Sequence, residues 1–188
     1  TSDVILDFVT EDDVSAEVQI TATQLIFTPD NWDIPQEVTL TGLDDEYDDG
    51  DYSFWFVTEV HSDDPLYDEI ETANQYVEIQ DDDTKGIVIT APDQLVTSED
   101  GETFELDVVL ASRPRSDVLV VIYTTDSSVG TVSTDTLYFT SSNWNVPQTV
   151  GVAGVDDSLD DGDTEFFTEF YADSDDDAIL DGVEDGNL

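Results

Sequence analysis

One stretch of this chain occurs twice. Phe27 to Asp51 reads FTPDNWDIPQEVTLTGLDDEYDDGD and Phe139 to Asp163 reads FTSSNWNVPQTVGVAGVDDSLDDGD, identical at 14 of 25 positions at an offset of 112. The register continues without a gap to Ser62-Asp63-Asp64 against Ser174-Asp175-Asp176, and upstream Ser2-Asp3-Val4 matches Ser116-Asp117-Val118 at an offset of 114. A unit repeated at this spacing must close a core of its own, and a period near 110 residues suits one β-sandwich per repeat. The boundary falls at residues 84 and 85, giving repeat 1 over 1–84 and repeat 2 over 85–188. Repeat 1 has no counterpart of the segment from Lys85 to about Ala111, and repeat 2 has none of Asn74 to Asp83. The expectation is a slice of a longer array, each repeat incomplete at a chain end.

The local patterns are those of strands. Phe104, Leu106, Val108 and Leu110 alternate with Glu105, Asp107 and Val109, and Val118, Val120 and Ile122 share one face. Val38 and Leu40 alternate with threonines, and Phe54 and Phe56 occupy alternate positions of a longer run. Period two in short β-branched and aromatic runs, punctuated by Gly, Pro, Asn and Asp, describes half-buried antiparallel strands. Repeat 2 is expected to place strands at about 86–91 (A), 103–111 (B), 117–124 (C), 136–140 (D), 148–155 (E) and 164–172 (F), with G visible only in repeat 1 at about 74–80. The predicted fold is all-β: two tandem seven-stranded antiparallel Greek-key (Ig-like) sandwiches, repeat 1 lacking A and B and repeat 2 lacking G. Such gaps leave unpaired edges, closed by continuation of the parent chain or by strands from a neighbour.

Strands that alternate in direction send the A–B, C–D and E–F loops and the end of G to one pole. In repeat 1 the E–F loop holds Asp44, Asp45, Asp48, Asp49 and Asp51, and G ends in Asp81-Asp82-Asp83. In repeat 2 the loop holds Asp156, Asp157, Asp160, Asp161 and Asp163, and the A–B loop holds Glu99. Aspartates gathered so densely repel one another unless a cation sits among them. Ca²⁺ takes six to eight oxygens in flexible geometry, whereas Mg²⁺ keeps its waters and softer metals want sulfur or imidazole. The chain has no Cys and a single His.

The whole composition leans the same way. Asp and Glu total 48 against 3 Lys and Arg, a net charge of −45, with 34 Asp and 14 Glu. Three cations cannot neutralise a row of phosphates, so nucleic acid is excluded as a partner. An anionic membrane surface repels such a chain, and no apolar run approaches the ~18 residues of a spanning helix. With 3 Trp, 7 Tyr and 9 Phe the chain has the apolar material for a core, unlike a disordered acidic tail.

Ser98-Glu99-Asp100-Gly101, the run Val155-Asp156-Asp157 with Asp160, Asp161 and Asp163, and the strand-ending Asp81-Asp82-Asp83 resemble the Calx-beta repeats of sodium–calcium exchangers and large bacterial surface proteins. The Asn-Trp-Asn-Val-Pro-Gln turn is similar to the bacterial tandem subtype. The resemblance implies a seven-stranded sandwich binding several Ca²⁺ at its distal pole. It implies Asp44, Asp45, Asp48, Asp49, Asp51, Asp81, Asp82 and Asp83 as ligands of site one. For site two it implies Glu99, Asp156, Asp157, Asp160, Asp161 and Asp163. The family's C–D loop aspartate has no placed counterpart in Thr125–Gly130.

The bland reading of scattered acids such as Glu17, Glu37 and Asp107 is a solvated face. Asp173 to Glu184 has acids at EF-hand positions 1, 3, 5, 9 and 12, but Ala178 stands where the turn needs glycine. Trp32 and Trp144 are read as plugs closing the core rather than as sugar platforms. Lys85, Arg113 and Arg115, the only cations, are expected to face the aspartates of repeat 1. The expected function is non-catalytic: a Ca²⁺-stiffened rod, stalk or filament in an extracellular or cell-surface adhesin, matrix or surface-layer protein. Its partners are neighbouring repeats of the same or adjacent chains and a cell-surface glycan or protein. A carbohydrate- or protein-recognition module using loop tips and Trp32/Trp144 is the alternative. A halophilic surface protein with incidental calcium is a third reading.

Overall fold

The computed structural model describes residues 2–10, 13–68, 70–158, 162–174 and 183–184. The chain is all-β, and its described residues form antiparallel strands and no helix. It divides into two compact units, one of residues 1–45 with 49–82 and the other of residues 46–48 with 83–188.

The first unit contains β1 (Val4–Thr10), β2 (Val18–Ile20), β3 (Gln24–Phe27), β4 (Leu40–Gly42), β5 (Tyr52–Ser62) and β6 (Gln75–Ile79). One sheet runs β3-β1-β5-β6 and a second has only β2 and β4. β1 lies along β5 from Val4↔Ser62 to Thr10↔Phe56, and the other end of β5 pairs β6 from Phe56↔Gln75 to Tyr52↔Ile79. Val14, Val18, Phe54 and Phe56 are buried together, with Phe8, Ile20, Val38, Leu40, Tyr52, Val77 and Ile79 half-buried around them.

The second unit contains β7 (Ile87–Thr90), β8 (Thr103–Leu110), β9 (Val118–Thr124), β10 (Gly130–Val132), β11 (Thr136–Phe139), β12 (Gln148–Gly154), β13 (Thr168–Asp173) and β14 (Val183–Glu184). Its sheets run β10-β12-β8-β7 and β11-β9-β13-β14. Leu106, Val108, Val150 and Val152 from one sheet and Val118, Val120, Ile122, Leu137, Phe139 and Phe170 from the other form one buried cluster. That is a closed sandwich, with alternate residues of each strand inside and their neighbours outside.

Strands A to E fall where the alternation puts them in repeat 2. Three features differ from the sequence reading. Short strands β2 and β10 follow the C strands; three residues between turns give too little pattern to read. Strand F begins at Thr168 rather than near residue 164, and β14 stands beside it as a two-residue strand where none was expected. In repeat 1 strand E contracts to Leu40–Gly42, although its alternation starts two residues earlier, at Val38.

Candidate functional site: two aspartate-rich loops

The E–F loop of the first repeat is shared between the two units. Its shoulders, ending at Asp45 and resuming at Asp49, belong to the first unit, and its tip, Glu46–Asp48, belongs to the second.

In the first unit the loop is fastened to the end of β6. The N–H groups of Asp49 and Gly50 donate to Asp81 Oδ2 at 3.0 and 2.7 Å, and Asp81 N–H donates to Asp51 Oδ1 at 3.0 Å. Gly50 has φ of +85°, a left-handed bend that a side chain would strain, and this bend aims two successive N–H groups at one carboxylate. Asp44 and Asp82 each offer a carboxylate oxygen within 4.8 Å of the other's. Asp44, Asp45, Asp49, Asp51 and Asp82 are exposed and Asp81 is half-buried, so most of these charges face water. Thus the structure brings Asp44, Asp49, Asp51, Asp81 and Asp82 to one pole of the first unit. Asp83 follows Asp82 in the chain and belongs to the second unit.

The loop tip is where the cations gather. Arg113 N–H donates to the Glu46 carbonyl at 2.6 Å, and its Nη1 lies 3.4 Å from Glu46 Oε2. The guanidinium carbons of Arg113 and Arg115 lie 5.3 and 5.0 Å from the Tyr47 ring centroid, both within cation–π range. Lys85 contributes through its backbone, its N–H donating to Asp48 Oδ2 at 2.7 Å. The cations were expected to face the aspartate loop of repeat 1; Glu46 and Tyr47, both within that loop, are among the partners of the arginines. Tyr47 had no role in the sequence reading. Its place between two aspartate pairs, where repeat 2 has Leu159, was the available signal.

The second E–F loop starts among neighbours that the strand directions had placed at its pole. Ser98 to Gly101 make a turn closed by Gly101 N–H to the Ser98 carbonyl, with Gly101 at φ +96°. A Cβ on Gly154, two residues before Asp156, would meet the Ser98 carbonyl oxygen at 2.9 Å, so the A–B turn seats directly on the end of β12. On the other side Val155 N–H donates to the Val129 carbonyl at 2.9 Å, which brings the C–D loop alongside. Glu99, Asp156, Asp157 and Asp163 are exposed on this pole; Asp160 and Asp161 lie outside the described residues, as do residues 175–182 of the EF-hand-like stretch. Gly162 repeats the left-handed conformation of Gly50, with φ of +73°.

The C–D loop of the second unit contains Asp126, which closes a local turn. Asp126 Oδ1 accepts from both the hydroxyl and the N–H of Ser128, and these bonds hold its carboxyl below the ordinary carboxylate value. Asp13 receives Ser15 N–H in the first unit and is lowered in the same way, by its side-chain and backbone bonds with Ser15. The shared Asp-x-Ser spelling of the two loops was the sequence signal.

The two D–E turns are built alike but packed differently. Asn31 and Asn143 accept from the N–H and hydroxyl of Thr28 and Thr140, while Gln36 and Gln148 donate to the Ile26 and Tyr138 carbonyls. Trp144 then packs on the core of the second unit, whereas Trp32 is 72% exposed. The plug reading fits Trp144 and is corrected for Trp32. The strand that covers the second turn, where Leu110 N–H donates to the Trp144 carbonyl, has no counterpart among the described residues of the first unit.

No protein-family model matches the chain, and no curated protein matches it. Among solved structures the chain is similar to the D00-D0 domain of intimin, at 15% identity and a TM-score of 0.35, over 89% of this chain and 77% of that one.

Proposed function

We propose that the chain is a pair of non-catalytic structural repeats that bind Ca²⁺ at their E–F poles, within a stiffened rod, stalk or filament of an extracellular or cell-surface protein. The observation that carries this reading is the approach of the Asp44 and Asp82 carboxylate oxygens to within 4.8 Å, beside a loop already fastened to Asp81. Two carboxylates at that spacing repel, and a hard cation between them turns the repulsion into attraction. The donor chemistry suits calcium: every candidate ligand is a carboxylate, and the chain has no Cys. Asp44, Asp49, Asp51 and Asp82 would hold the ion in the first unit, with Glu99, Asp156, Asp157 and Asp163 the candidates in the second.

Ions bound only by the folded chain stabilise it by mass action, about 2.7 kcal/mol at a hundredfold excess over the dissociation constant. They also fix the loops in one conformation, and stiffness in the parent protein follows from that. The test is thermal unfolding with Ca²⁺ and with EDTA at constant ionic strength, on the wild type and on Asp82→Asn. A melting temperature that rises with micromolar Ca²⁺, and rises less in the variant, is the expected result. An unchanged melting temperature in EDTA overturns the reading. Stability that tracks total salt instead supports an acid-rich surface adapted to brine.

A recognition module built on both tryptophans is the weaker reading. Only Trp32 is open to a ligand, since Trp144 is packed against its core.

A further inference from the structure

The second unit is a template for what the first unit lacks. At the offset of 112, Leu40–Gly42 correspond to residues 152–154, and Val18–Ile20 to residues 130–132. The two ladders agree residue for residue: β4 pairs β2 through Leu40↔Ile20 and Gly42↔Val18, and β12 pairs β10 through Val152↔Val132 and Gly154↔Gly130. β12 then extends four residues further back, and those residues pair only with β8, from Gln148↔Val108 to Gly151↔Glu105. Their counterparts, Gln36 to Thr39, are not in a strand. The sequence pattern survives, with Val38 for Val150 and Leu40 for Val152, but the partner does not.

The apolar surface behind that edge is correspondingly open. Val150, Val152 and Phe139 are fully buried, whereas Val38, Leu40 and Phe27 are only half-buried. The backbone also faces outward. Thr39 exchanges hydrogen bonds with Thr21, its N–H reaching Thr21 Oγ1 at 2.9 Å and its carbonyl accepting Thr21 N–H at 3.0 Å. In extended chain the adjacent peptide groups point the opposite way, so those of Val38 and Leu40 address the side away from β2.

We propose that this edge, Gln36 to Gly42, is a strand-addition site that accepts a β-hairpin of the β7–β8 kind. Its inner strand runs antiparallel to β4 and presents alternating apolar residues, as Leu106, Val108 and Leu110 do. Main-chain bonds supply the affinity and the alternation supplies the register. The hairpin comes from polypeptide other than residues 87–110 of this chain, because β8 is already paired with β12 and β7 with β8. The inference stands apart from the calcium reading, since neither the edge nor its occupant involves the aspartate loops.

The probe is a synthetic peptide of residues 86–111, added to the 188-residue chain and followed by peptide-resolved hydrogen exchange. Exchange across residues 36–42 should slow by about tenfold or more at saturating peptide, and β12 should be unchanged. Three controls accompany it. A peptide carrying Leu106→Asp, Val108→Asp and Leu110→Asp should give no slowing. The chain variant Val38→Pro should lose the slowing, because proline removes the outward donor without touching the β4–β2 ladder. Unchanged exchange in β1 and β5 of that variant shows that it folds. No slowing in the wild type, equal slowing by the control peptide, slowing that persists in Val38→Pro, or dimerisation with lost protection of β12 would each overturn the proposal.

Discussion

The two units carry the same repeat with opposite omissions. Among the described residues, the first has β6 beside its long F strand and nothing beyond β4, and the second has β8 and β7 beyond β12 and the two residues of β14 on the outer side of β13. Strand lengths follow these omissions. β12 is seven residues long and β4 three, while β5 is eleven and β13 six. The first four residues of β5, Tyr52 to Trp55, pair only with β6, and their counterparts, residues 164–167, are not in a strand. Alternation therefore licenses a strand in this repeat, and a partner decides whether it forms. A lone row of N–H and C=O groups gains as much from water as from extension.

The sharpest test of the comparison uses a residue common to both copies. Phe139 is fully buried between the two sheets of the second unit, and Phe27 is half-buried beneath the open edge of the first. Phe139→Ala should cost about 3–5 kcal/mol, the range for a large aromatic removed from a packed core. Phe27→Ala should cost less than half of that. Denaturant-dependent hydrogen exchange, read at β9 for the second unit and at β1 for the first, separates the two. Equal costs would mean that the first unit is as well closed as the second, and the account of strand lengths would lose its basis.

Tyr47 marks a second asymmetry. The second unit takes three residues of the first repeat's E–F loop, with Arg113 and Arg115 over the ring. Exposed cation–π contacts contribute about 0.5–1 kcal/mol each. Tyr47→Leu, which installs the residue that repeat 2 has at Leu159, keeps the apolar bulk and removes both contacts. Faster exchange at the Arg113 N–H, with β8 and β9 unaffected, is the expected outcome. An unchanged rate would mean that the ring contributes nothing to holding Arg113 beside the loop.

Much of this was legible in the letters. The repeat set the period, alternation located the strands of the second unit within a few residues, and strand direction gathered the A–B, C–D and E–F loops at one pole. What was hidden depends on partners distant in sequence. Nothing in Gln36–Thr39 tells that the described residues of the first unit hold no counterpart of β8, and nothing local to Trp32 distinguishes it from Trp144. The aspartates were legible as a cluster, but the fastening of Asp49 and Gly50 to Asp81 needed the pairing of β5 with β6. Tyr47 was passed over because one aromatic among eight residues of loop has no period to reveal it.

The smallest expected effect concerns the paired C–D turns. Asp13 and Asp126 are held below the ordinary carboxylate value by hydrogen bonds from Ser15 and Ser128. A depressed value in the folded state means that the ionised carboxylate is favoured by folding. The stabilisation is therefore present above the unfolded-state value and is lost as the pH falls through the folded-state value. Both groups are fully exposed, so solvent screens the interaction and the contribution is slight. Ser128→Ala removes the hydroxyl donor, the larger of the two causes at Asp126. It should bring the Asp126 titration, followed by carboxyl carbon NMR, back towards the ordinary value and leave Asp13 unmoved. Ser15→Ala should do the reverse. If either substitution moved both aspartates, the turns would be coupled through the fold rather than built twice from the same three-residue spelling.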